Sequence, residues 1–440
     1  MSAEGGNVER GLKRDIGLIG AAFLAFNGIV GAGIFGLPGT LNERFGAFAP
    51  WLFPIFALLV LAIALPFARL AALHRQSGGP VAYTAAFGRP VAFQAGWLYY
   101  LARTSAVAAN ANIFATYAAT LWTPLGTTIG RVVSILLLVG AFTFINIVGV
   151  KRAIRALDAL TLLKAIPLVG LAIWGLAAAA DGIPPPGPPP PLSLLEGSAL
   201  LLLYAFVGFE NVLVPAGETD RPERTIPRAL IGTIIATAAL YFLVQLAYSA
   251  VVPAGPAPEA PLAAFAGTLA GPAGALILTI AALASVAGNV GSTTTSTPRV
   301  TFALAELNAL PGWFGKISAR FATPVNSILF MGLVAAALAL PGRFEWLAIL
   351  STLSRLFVYA LCLLALTRLR RGLGAWLFVL PGLAVCAWAA AQSKWESWAM
   401  LAGALAVGLV LYALARRQAG SSSAATVPSI QPPPSTRSPS

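Results

Sequence analysis

The sequence predicts an all-α membrane protein of about twelve transmembrane helices. Three observations carry that prediction. Of 440 residues, 58% are hydrophobic and only 10% charged, and mean hydropathy is +0.82. Apolar runs long enough to cross a bilayer, about 20 residues each, recur from one end of the chain to the other. Two of those runs are interrupted near their middle by glycines, which a helix that only had to span lipid would avoid.

Residues 1–15 are polar, and the run that follows is too long for the apolar core of a signal peptide and lacks a small-residue cleavage site. The first segment, about 16–41, is therefore expected to stay in the membrane. Its second half carries Gly28, Gly31, Gly33, Gly36, Gly39 and Pro38. Backbone freed from a helix in hydrocarbon costs several kcal/mol per group, so such a break must be buried in protein or line a polar cavity. Close helix packing through small residues is the competing reading of this stretch alone. Gly31, Gly33 and Gly36 also spell a dinucleotide-binding motif, but the flanks are membrane-length apolar runs rather than a strand and a helix with an acidic partner.

The following spans are expected at about 48–73, 93–121, 130–150 and 157–180. The third is longer than a perpendicular crossing requires, so tilt is expected. A polyproline stretch, Pro184-Pro185-Pro186-Gly187-Pro188-Pro189-Pro190-Pro191, cannot continue a helix and forms an extended spacer. Span six, about 197–216, contains the second interruption, Val207-Gly208-Phe209, with Pro215 near its end. Spans seven and eight fall at about 229–252 and 271–297, separated by a proline-rich loop. Residues 298–323 read as a short interfacial helix broken at Pro311-Gly312. Spans nine to twelve are expected at about 324–340, 346–366, 375–391 and 398–414.

These divide the chain into an N-terminus (1–15), a first unit of five spans (16–180), a proline-rich external loop (181–196), a second unit (197–366), two further spans (367–417) and a tail (418–440) with little to bury. The net charge of +13 suits lysine and arginine gathered on the cytoplasmic side of a membrane protein rather than nucleic-acid binding. With the N-terminus inside, that side holds Arg75, Lys151, Arg152, Arg221, Arg224, Arg228, Arg299 and Arg368, while the other holds Arg44, Arg131, Arg343 and Lys394. Both termini are expected to be cytoplasmic, in a cytoplasmic (inner) membrane. Cys362 and Cys386 lie in apolar runs and His74 stands alone, so no disulfide or metal site is expected.

Segments one and six each open a five-span unit, and the odd number of crossings between them makes the two units enter from opposite sides. Interrupted helices in corresponding positions of an inverted repeat are the sequence pointer to a transporter site at the midplane. The half-helix after the first break offers amides near Gly33 and Ile34 to an anionic group. Carbonyls at Gly28, Ile29, Tyr204 and Val207 suit a cation. A zwitterionic α-amino acid presents both charges a bond or two apart. An enzyme would need a catalytic cluster at membrane depth and a sensor a signalling domain; the sequence offers neither.

The motifs G-A-G-I-F at Gly31 to Phe35 with Leu37-Pro38, Y-A-F-V-G-F-E at Tyr204 to Glu210, R-P-E-R-T-I-P-R-A from Arg221 and L-P-G-W-F-G-K from Leu310 resemble those of the amino acid-polyamine-organocation (APC) superfamily. The resemblance covers nearly all of the membrane part. It implies a five-plus-five inverted-repeat (LeuT-like) fold with two extra helices, discontinuous helices 1 and 6, alternating access, and an amino-acid or amine substrate. It places the substrate carboxylate at Ala32, Gly33 and Ile34 and the amino group at the carbonyls of Ile29, Tyr204 and Val207, with the Tyr204 ring as occlusion lid. Gly31, which unwinds the helix beside them, completes the substrate-binding set.

Four charges stand at span depth, Arg103, Lys164, Glu210 and Arg355, and such residues are functional candidates. A lysine away from water can gain and lose its proton in the physiological range, and proton-coupled members of the superfamily carry a lysine at this place where sodium-driven ones hold the ion. Lys164 is thus the candidate for proton coupling, with snorkelling to the headgroups as the alternative. Glu210 is read as stabilising the unwound segment or joining the proton path. The expectation is a proton-coupled symporter of neutral amino acids, with an amino-acid/amine exchanger as alternative, no cofactor beyond the coupling proton, sodium less favoured, and a monomer or homodimer in the bilayer. A Gly33→Val protein is expected to lose uptake; one that folds and still transports would overturn the assignment of the first break to the substrate.

Overall fold

The computed structural model describes residues 16–73, 79–149, 151–179, 182–253, 255–370 and 372–424. The expected N-terminus 1–15, His74 and the tail beyond Ala424 lie outside the described residues. Among the described residues the regular structure is helical, apart from one isolated parallel bridge between Ile16 and Thr219. Eight stretches are long and apolar enough to cross a membrane, and the apolar helices Leu18–Ile29, Lys164–Ala177 and Val325–Ala339 are shorter.

The first segment is two helices, α1 (Leu18–Ile29) and α2 (Ala32–Phe45), and α3 (Ala49–Leu73) follows after one 3-10 turn. A short α4 (Gly79–Thr84) precedes α5 (Arg89–Leu121), then α6 (Thr128–Val148) and α7 (Lys151–Ala177). The proline run has no helical structure, and α8 (Leu192–Tyr204) starts as soon as it ends, with Pro191 at the N-cap. Two 3-10 turns, Phe209–Leu213 and Ala216–Glu218, lead to α9 (Pro222–Val251). After α10 (Pro261–Ser296) come the small α11 (Pro298–Glu306), then α12 (Val325–Ala339), α13 (Phe344–Leu369), α14 (Leu373–Ala391) and α15 (Trp395–Ala424).

Two elements depart from the sequence reading. A separate helical stretch from Pro261, in the region expected to be loop, precedes span eight and is divided from it by a kink at Ala270 and Gly271, where Gly271 has φ +59 and Pro272 has no amide to donate. The last helix runs past residue 417 into the tail as far as Ala424, even though Gly420 and three serines there are weaker helix formers than alanine. Helix α5 is not among the apolar candidate spans, although it is the longest uninterrupted helix of the first half at 33 residues. Most of its side chains are buried, Arg103, Asn110 and Asn112 among them. Enclosed by α10, α13, α6 and α12, it meets protein rather than lipid, and Arg103, Asn110 and Asn112 find hydrogen-bond partners there.

The two ends of the bundle can be told apart. At one end, Ile16 exchanges backbone hydrogen bonds with Glu218 and Asp220 (3.1 and 2.9 Å), tying the start of α1 to the segment after the second interruption. At the other, Arg131 donates to Asn112 and to the Gly342 carbonyl (2.8 Å), and Asn112 donates to the Ala339 carbonyl (3.1 Å). Asn112 is therefore an interhelical tie at that end and does not line the central cavity.

Candidate functional site

The first interruption consists of Val30 (φ −78, ψ 99) and Gly31 (φ −147, ψ −143). Ala32 and Gly33 already belong to α2, so the unwound stretch is shorter than the glycine run and lies just ahead of it. A helix end leaves four carbonyls without intrahelical donors. Since Val30 still donates to the Phe26 carbonyl, the four at the end of α1 are those of Asn27, Gly28, Ile29 and Val30. Each meets a side-chain donor. Asn289 of α10 donates to Asn27 (2.9 Å) and Gly28 (3.3 Å), Tyr241 of α9 to Ile29 (3.4 Å), and Lys164 of α7 to Val30 (3.1 Å). On the other side of the break, the Ala32 amide donates to Asn110 of α5 (3.1 Å). The amides of Gly33 and Ile34 come next in the first turn of α2, where no carbonyl stands one turn earlier.

The second interruption follows Tyr204. Ala205 to Gly208 form a turn, and Gly208 sits at φ +107, a conformation that costs a residue with a side chain about 1 to 3 kcal/mol. Glu210 folds back so that one carboxylate oxygen accepts from the Gly208 amide (2.9 Å) and from Tyr359 (2.8 Å). Its other oxygen accepts from Arg355 at 3.0 Å. Arg355 also donates to the Ala102 carbonyl (3.2 Å) and to Ser351. Of the two arginines unassigned from sequence, Arg355 is the partner of Glu210.

The interruptions touch. A Cβ on Gly28 would lie 2.2 Å from the Gly208 carbonyl oxygen, and one on Gly208 equally close to that of Gly28. Glycine is required at both positions by close approach, a role distinct from unwinding. Gly33 packs on the backbone of Ala205, where a Cβ would stand 3.0 Å from Cα.

Between the interruptions lies a cavity lined by Ile29, Gly31, Ala32 and Gly33 from the first, Tyr204 and Val207 from the second, and Arg103, Asn110, Asn289 and Thr293 around them. Six of the seven substrate-binding candidates share this cavity. Ile34 does not line it, because its side chain is fully buried away from it. Lys164 stands behind the first interruption, 1% exposed, with its ammonium over the Phe26 ring at 5.9 Å. Glu210 is also outside the lining, reaching it through Arg355. Asn289, Tyr241 and Tyr359 were not singled out from sequence; a polar side chain on a largely apolar helix is the signal they leave. Phe344, likewise missed, meets the Tyr204 ring edge-on at 5.8 Å and fills the notch above Gly36 with Ile113.

The cavity volume is about 20 Å³, enough for one water, which needs roughly 10 to 15 Å³. A molecule with several heavy atoms would fit only if the helices part.

Comparison with known proteins identifies the chain as a membrane transporter rather than an enzyme. A branched-chain amino acid permease of Bacillus subtilis (strain 168) is 26% identical over 93% of this chain and 94% of its own length. An uncharacterized transporter of Mycobacterium bovis is 28% identical over 92% of each chain. The cadaverine/lysine antiporter of Escherichia coli (strain K12) is 30% identical over 56% of this chain and 57% of its own. A family model for amino acid permeases matches residues 16–428, and the chain belongs to that family.

Removing the carboxylate charge by Glu210→Gln leaves the Arg355 guanidinium buried without a counter-ion, a loss of about 3 to 5 kcal/mol. The purified protein is expected to unfold at a clearly lower temperature in detergent, as is Gly208→Ala, while an unchanged midpoint for either would contradict these contacts.

Proposed function

We propose that the protein takes up neutral amino acids together with protons across the cytoplasmic membrane by alternating access. The chain would cross about twelve times, as two inverted five-span units and two further helices. Its basic end would face the cytoplasm with both termini. The substrate carboxylate would sit on the Gly33 and Ile34 amides beside Gly31 and Ala32. Its ammonium would sit among the carbonyls of Ile29, Tyr204 and Val207, each of which keeps a lone pair beyond the bonds described. Tyr204, backed by Phe344, would close the side away from the basic end. A neutral side chain is in keeping with the Bacillus subtilis relative, whose name specifies branched-chain amino acids.

The observation that carries the proton coupling is the Lys164 ammonium on the Val30 carbonyl, 3.1 Å away at the first interruption. A protonated lysine holds that carbonyl more strongly than a neutral one, so proton gain and loss at this atom would alter the hinge of α1. Sodium is disfavoured because Ser296 and Thr297, which could ligate it, accept hydrogen bonds from Arg103. An exchange mechanism is the second reading, supported by similarity to the Escherichia coli antiporter.

In proteoliposomes, uptake is expected to rise several-fold when the outside is acid relative to the lumen and to fall to background on adding a protonophore. Lys164→Ala is expected to abolish this response. Counterflow that ignores the pH gradient and survives Lys164→Ala would replace symport by exchange.

A further inference from the structure

We propose that Arg103 is a charge filter in the cavity wall, admitting amino acids with neutral side chains and rejecting cationic ones such as lysine and its diamine. The proposal rests on the transport reading above and names the residue that sets its substrate class.

Arg103 lies on α5, two turns before Asn110, and lines the cavity while only 4% exposed. Its guanidinium donates to Thr297 (2.8 Å) and Ser296 (2.6 Å) at the end of α10. It also donates to Tyr99 (3.1 Å) on its own helix and to Asn211 after the second interruption. All four acceptors are neutral. They replace the hydrogen bonds of water, but they leave the charge standing.

The neighbouring charges do not cancel it. Glu210 is buried at this depth, and it is committed to Arg355 at 3.0 Å, so that pair sums to zero. Among the described residues no Asp or Glu lines the cavity itself. Lys164, behind the first interruption, adds positive charge or none. The wall therefore presents one uncompensated positive charge in a nearly dry space. A second cation brought within about 8 Å would bind some tenfold to a hundredfold more weakly than a neutral isostere, at an effective dielectric constant near 20. The zwitterionic head of a substrate carries its own carboxylate and escapes most of this repulsion; a second ammonium on the side chain does not.

The alternative is that Arg103 only clamps α5, α10 and the second interruption together. A clamp depends on the planar five-donor fork of arginine, whereas a filter depends on charge. Arg103→Lys keeps the charge and loses the fork. Arg103→Gln loses both. Ala106→Asp, on the same cavity wall and one turn along α5, adds a counter-charge and leaves Arg103 in place.

The test is thermal stabilisation of the purified full-length protein by leucine, lysine and cadaverine, with competition of the last two against labelled leucine in proteoliposomes. Leucine is expected to stabilise the wild type, Arg103→Lys and Ala106→Asp, and lysine to do so at least tenfold less effectively in the wild type and Arg103→Lys. In Arg103→Gln and Ala106→Asp the gap is expected to close by tenfold or more. Lysine or cadaverine binding the wild type as well as leucine overturns the filter and leaves the transporter standing. So does a Gln or Asp variant that binds leucine and still rejects lysine, and the Asp variant decides the matter if the Gln variant does not fold. Failure of every amino acid to bind the wild type would remove the neutral amino-acid reading and the filter with it.

Discussion

Four consecutive carbonyl oxygens at the end of α1 set the conditions for the rest of the structure. In hydrocarbon each would cost several kcal/mol if left alone. Here Asn289, Tyr241 and Lys164 supply the donors from α10, α9 and α7, and Asn110 takes the first amide of α2. Four long helices are thus oriented toward one point, with the interrupted helix at the centre. The second interruption is solved by other means: a glycine in the left-handed region and a carboxylate that folds back onto its amide. That carboxylate then needs Arg355 and Tyr359, which draws α13 into the same core.

This arrangement separates two jobs that the sequence run from Gly28 to Gly39 had merged. Unwinding belongs to Val30 and Gly31. Close approach belongs to Gly28, which meets Gly208, and to Gly33, which meets Ala205. The amides left without intrahelical acceptors are those of the first turn of α2.

Much of the framework was legible in the sequence because it follows from local pattern. Glycines in apolar helices mark interruptions, proline runs mark spacers, and charges at span depth mark Lys164, Glu210, Arg103 and Arg355. What was not legible depends on pairing over long distances. Nothing near Asn289 in the sequence says that it serves Asn27, 262 residues away. Asn110 and Asn112 look alike, two positions apart on one helix, yet one faces the cavity and the other ties α5 to Arg131 and the Ala339 carbonyl at the far end. The hundred-degree step per residue of a helix sends neighbours to different environments, and only the surrounding helices decide which is which. The helix expected at about 93–121 is present as α5, with its polar residues enclosed by protein rather than facing lipid.

The contact between Gly28 and Gly208 has a consequence for how related chains vary. Ordinary neighbours can exchange bulk, a larger side chain on one being offset by a smaller one on the other, and such exchanges leave a correlated trace in aligned sequences. Two glycines touching through their backbones have nothing smaller to exchange. Each position is held fixed on its own, so no correlation can arise between them. Methods that infer proximity from coordinated substitution will be blind to the meeting point of the two interruptions, the contact on which the site is built.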